Sequence, residues 1–105
     1  MVGTQITDAG LSGLAELPNL AALNVSYCKG ITDKGLKHLA ALKQLQILNI
    51  EGTRVTEEGI KHLKDLPSLR EIHLDDLLIS PQGLQQLQQT MPKVQFHQIH
   101  RETRF

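Results

Sequence analysis

One phrase recurs four times along the chain and leaves little freedom in what it can fold into. Ile6-Thr7-Asp8-Ala9-Gly10-Leu11 returns as Ile31-Thr32-Asp33-Lys34-Gly35-Leu36, then as Val55-Thr56-Glu57-Glu58-Gly59-Ile60 and Ile79-Ser80-Pro81-Gln82-Gly83-Leu84. The glycines at 10, 35, 59 and 83 are therefore 25, 24 and 24 residues apart. A fixed period of this length marks a repeat architecture, in which each unit is one supersecondary element that buries its apolar face against the next. At 105 residues the chain has room for one such domain and not for two.

Each phrase opens a helix. Thr7, Thr32, Thr56 and Ser80 stand where an N-cap oxygen is wanted, an acid follows the first three, and Pro81 suits the first helical position of the fourth. Apolar residues three apart continue each phrase as one stripe: Leu11/Leu14/Leu17, Leu36/Leu39/Leu42, Ile60/Leu63/Leu66 and Leu84/Leu87. Pro18, Pro67 and Pro92 are expected to stop three of the helices, with Lys43 at the matching place in the other. A Leu-x-x-Leu-x-Leu line follows each stop: Leu20/Leu23/Val25, Leu45/Leu48/Ile50, Leu69/Ile72/Leu74 and, less well, Val94/His97/Ile99. Its last two apolar residues are two apart, the period of a strand with one face buried. Strand and helix alternate, so the units stack into a parallel sheet with helices outside. Eighteen leucines and only three aromatics, Tyr27, Phe96 and Phe105, give that core an aliphatic filling.

The stretch Leu20-x-x-Leu23-x-Val25-x-x-Cys28-x-x-Ile31-Thr32-Asp33-x-Gly35-Leu36-x-x-Leu39 resembles the cysteine-containing leucine-rich repeat. The next copy, with Thr53 in place of the cysteine, is similar to the bacterial tandem arrays of that family. The resemblance implies an α/β leucine-rich repeat solenoid, a short right-handed horseshoe segment with a parallel β-sheet on the concave face and helices on the convex face. It covers about residues 3 to 100, as a single domain over 1–105 with units at roughly 3–19, 20–44, 45–68 and 69–93, a terminal strand at 94–100 and a tail at 101–105. Two departures stand out. The last copy reads as carrying an extra residue at Gln88-Gln89-Thr90, with a slip or bulge that puts His97 in the core and Phe96 on the open face. At the other end, Gly3-Thr4-Gln5-Ile6-Thr7 aligns with Gly52-Thr53-Arg54-Val55-Thr56, so the first unit lacks its strand and Leu23–Val25 forms a bare parallel edge.

Eleven basic against eleven acidic residues leave no net field to draw in nucleic acid or an anionic membrane. The single cysteine, Cys28, has no partner for an intramolecular disulfide, and it falls at the buried turn after a strand with Thr53 and Leu77 at the equivalent positions, neither of them a base. With no signal peptide and no apolar run long enough to span a bilayer, the expected location is cytoplasmic. His38 and His62 hold equivalent helix positions about 10 Å apart, too far to share an ion. His73 could meet Asp75 and His100 across neighbouring strands, but no metal-ligand spacing supports a site, so neither metal nor cofactor is expected. The four glycines recur for close helix-to-sheet approach and do not form a phosphate loop. No pair of carboxylates or nucleophile and base suggests an enzyme.

The strand period names the open-face positions. They are Ala22, Asn24 and Ser26; Ile47, Asn49 and Glu51; Glu71, His73 and Asp75; and Phe96, Gln98 and His100, with Tyr27, Gly52, Asp76 and Arg101 at the strand exits. The family resemblance implies a protein ligand on this face, and Ile47 and Phe96 are apolar there without a core to fill. Four strands span only about 240 Å², well under the ~800 Å² per partner of a standard interface. The expected function is therefore weak, non-enzymatic protein recognition, through Asn24, Ser26, Ile47, Asn49, Glu51, Glu71, His73, Asp75, Phe96 and Gln98. The alternative is a structural, self-assembling segment, a homo-oligomer through the N-terminal strand edge, or a piece of a longer leucine-rich repeat protein such as a ubiquitin-ligase-type substrate receptor or a bacterial array.

Overall fold

The computed structural model describes residues 6–17, 19–77 and 79–98. Helices start where the recurring phrase places them: α1 at Asp8–Leu14, α2 at Asp33–Leu39, α3 at Glu57–Ile60, continued by a 3-10 turn at Lys61–Leu63, and α4 at Pro81–Thr90. The caps do this locally. The Thr32 hydroxyl accepts from the Lys34 N–H, Thr56 from Glu58 and Ser80 from Gly83, each removing one of the unpaired donors that a helix start leaves. Thr7 has the same extended cap backbone without a side-chain cap bond. The stop expected at Pro18 lies outside the described residues, and Pro67 and Pro92 follow the ends of their helices.

The acid after each cap does more than favour the positive end of its helix. The Asp8 carboxylate accepts from the N–H and the hydroxyl of Thr32, at 2.8 and 2.6 Å, and Asp33 accepts from the same two groups of Thr56, at 2.7 and 2.5 Å. One unit's acid thus holds the next unit's N-cap. The helix glycine of that next unit leaves room for the arrangement: Gly35 packs on Asp8, Gly59 on Asp33 and Gly83 on Glu57.

Four three-residue strands form one parallel sheet in chain order: β1 (Ala22–Asn24), β2 (Ile47–Asn49), β3 (Glu71–His73) and β4 (Gln95–His97). Leu23, Leu48, Ile72 and Phe96 are in register across the sheet. The first three are buried, and with Leu11, Leu36, Leu39, Ile60, Leu63 and Leu87 from the helices they build a single aliphatic core. Full burial of each such side chain is worth about 1.5–3 kcal/mol.

This register corrects the reading of the last unit. The interval from helix glycine to inward strand residue is 13 in all four units: Gly10 to Leu23, Gly35 to Leu48, Gly59 to Ile72 and Gly83 to Phe96. No residue is inserted at Gln88–Thr90, which simply belong to the longer α4. Phe96 faces inward, half-buried against the core, while His97 aligns with His73 on the open face. Val94 resembles the counterpart of Leu69, but Lys93 holds that place, three residues before the inward Phe96 as Leu69 is before Ile72. The interval, which turn and helix geometry fix, outweighed the apolar pattern. Gln98 then occupies the place of Leu74, half-buried. Asp75 is a second correction: expected on the open face, it is 7% exposed.

Candidate functional site on the open sheet face

With the inward residues assigned, the outward ones follow. Two rows cross the sheet: Ala22, Ile47, Glu71 and Gln95 in one, and Asn24, Asn49, His73 and His97 in the other. Of the expected binding residues, the structure brings together Asn24, Ile47, Asn49, Glu71 and His73 on this surface. Ser26 and Glu51 lie just past their strands, half-buried. Gln95 and His97 take the places expected for Phe96 and Gln98, and His100 and Arg101 lie outside the described residues.

The apolar part of the face is Ile47, 38% exposed. It borders a shallow hollow of about 200 Å³ whose other walls include Ala22, Asn24, Asn49 and His73. The two asparagines also have local work. The Asn24 side-chain oxygen accepts from the Ser26 N–H and that of Asn49 from the Glu51 N–H, both at 3.0 Å. These turns lead the chain out of β1 and β2 toward the left-handed positions at Tyr27 (φ 61) and Gly52 (φ 66), repeated at Asp76 (φ 62).

The positive φ is one that Tyr27 and Asp76 adopt with side chains, but Gly52 is required because the Tyr27 ring lies directly on it. The ring crosses that glycine and its hydroxyl donates to Asp76 Oδ2 at 2.6 Å, while Lys29 Nζ donates to the Gly52 carbonyl at 2.7 Å. The strand exits of three units are therefore tied to one another. Cys28 beneath them is fully buried, its Sγ 3.8 Å from the Ser26 carbonyl, and Thr53 in the next unit donates to the Ile50 carbonyl at 2.7 Å. Both side chains close the turn after the strand, which accounts for them structurally.

The third and fourth units carry histidine where the first two carry the turn-forming asparagine. His73 and His97 stack, ring centroids 4.6 Å apart and planes 14° from parallel. Glu71 Oε1 lies 3.5 Å from His73 Nε2 and 3.4 Å from His97 Nε2. The sequence reading instead set His73 beside Asp75 and His100. The signal that would have found His97 was its distance from His73, 24 residues, one full period.

Comparison with known proteins agrees with the architecture. The leucine-rich repeat family matches residues 16–40, the span that carries β1, the buried cysteine turn and α2. A search of curated proteins returns no match to the chain. Among the described residues no helix is long and apolar enough to cross a membrane.

Proposed function

Because this chain carries a leucine-rich repeat, we propose that it is a non-enzymatic recognition module that holds a protein partner against the open face of its sheet. The observation that supports this reading is Ile47, a large aliphatic side chain 38% exposed on a face where alternation calls for a polar residue, set beside a shallow hollow and ringed by Asn24, Asn49 and His73. That ring is the anatomy of a small hot spot, an apolar anchor with a polar rim. The face is small, so one copy binds weakly, and tight binding needs further repeats or several copies together.

Replacing Ile47 with aspartate is the direct test. Ile47 points outward but pairs across strands with Glu71, so aspartate there should cost about 1 kcal/mol of folding stability, whereas partner capture falls by roughly tenfold or more. Pull-downs with wild type and variant, each checked by circular dichroism, decide the matter; equal capture by both would rule this face out.

Among the described residues β1 is an outer strand of the sheet, which supports a second reading, association of copies through the strand edge. Light scattering over a hundredfold range of concentration separates the two: a mass that climbs with concentration favours assembly, a constant monomer mass favours recognition.

A further inference from the structure

We infer that Glu71, His73 and His97 form a binding site for a divalent transition-metal ion of the zinc class. One donor atom from each lies within 4.8 Å of the others. The two imidazole nitrogens stand 3.4 and 3.5 Å from a single carboxylate oxygen, Glu71 Oε1. Those separations exceed the 2.7–3.2 Å of an ordinary N–H···O bond. They match the edge of a tetrahedron, about 3.4 Å, whose corners sit about 2.1 Å from a central ion. Two of the three donor separations thus suit a shared cation as they stand, and the third, between the imidazole nitrogens, lies within 4.8 Å and closes as the rings turn.

The scaffold supports the same reading. Glu71 and His73 are two apart on β3 and so share a face, and His97 is the cross-strand neighbour of His73 on β4. Sites on strands hold their donors more firmly than sites on loops. In the two earlier units the equivalent position carries an asparagine that accepts from the N–H two residues on; in the third and fourth it carries an imidazole. Two imidazoles with one carboxylate suit zinc, nickel, copper or iron(II) and not magnesium or calcium, which take all-oxygen sets. Three protein donors on an open face leave the fourth position to water or to a donor from outside. The near-parallel rings must rotate for their nitrogens to converge, and their partial exposure permits it. The inference does not rest on the recognition reading, since an ion can bind with or without a partner.

The test is titration of the full, untagged chain with Zn²⁺ by calorimetry, with Co²⁺ absorption reporting the ligand geometry. The expected result is saturable binding of one ion, with a tetrahedral-type Co²⁺ spectrum. Loss of an outer partner alone weakens metal sites 10- to 100-fold, so His73→Ala, His97→Ala and Glu71→Gln should each weaken binding at least about tenfold. The double variant His38→Ala/His62→Ala, on the helix side, should bind as wild type does. All these side chains are at least partly exposed, and circular dichroism checks that each variant folds. The inference is overturned if no saturable binding occurs up to about 100 times the protein concentration, or if His97→Ala binds as wild type while the helix-side double variant does not.

Discussion

Replacing Gly59 with alanine should destabilise the protein by about 3 kcal/mol, the upper end of what overpacking costs. A Cβ at this position would overlap the Asp33 carboxylate and come within 2.9 Å of Asp33 Cα. The carboxylate cannot swing aside without releasing both Thr56 donors, and the Cα belongs to the first residue of α2, which could move only by shifting that helix off the core. Gly13 supplies the contrast. It lies exposed in α1, and a Cβ added there would meet no atom within 4 Å, so alanine should stabilise by up to about 1 kcal/mol through helix propensity. Urea unfolding of the two variants is the check. A Gly59→Ala loss below about 1 kcal/mol would show that the helices slide freely and that the contact does not set their spacing.

That contact also shows what a sequence can and cannot disclose. The period of the four glycines was visible at once, and so was its reason in outline, close approach of neighbouring elements. Which atom approaches was not visible, because it belongs to the preceding unit: the Asp8 and Asp33 carboxylates lie 24 and 23 residues before the threonines they hold. Read locally, each acid was only a favourable charge at a helix start. Cap, strand and core assignments depended on patterns within one unit. The caps at Thr32, Thr56 and Ser80 and the strands of the first three lines were legible, whereas Thr7 makes no side-chain cap bond and Leu17, expected in the helix stripe, is exposed.

The last unit was harder because it lacks the usual cues. Lys93 and Gln98 stand where the other units have apolar residues, and β4 has no further strand beyond it among the described residues, so Phe96 is only half-buried. Pattern matching therefore slid the strand by one residue, and a slip of one exchanges the two faces of a strand entirely. Phe96 went to the open face and His97 to the core, the reverse of their places. The pairing of His97 with His73 and Glu71 was hidden by the same slip, while Ile47 on the regular β2 was placed correctly from alternation alone.

Removing the acid itself, in Asp33→Ala, should cost about 2 to 3 kcal/mol. The bonds from the Thr56 N–H and hydroxyl are charge-assisted, each worth about 1.5–3 kcal/mol in isolation, and their loss leaves a half-buried N–H without an acceptor. Sharing one carboxylate and partial access of water hold the sum below twice the single value. In a stack where each unit touches only its neighbours, stability is a sum of unit and interface contributions. Asp33 lies at the middle interface, between the α2 and α3 units, so its loss should weaken the coupling of the two halves as well as the total. Hydrogen exchange should then show amides of β3 and α4 opening at a lower free energy relative to those of β1 and α2 than in wild type. Asp33→Asn keeps an acceptor for the Thr56 N–H and should recover part of the loss. Uniform acceleration across all four strands, with the asparagine variant no better than alanine, would mean that the acid contributes only through the charge at its own helix start.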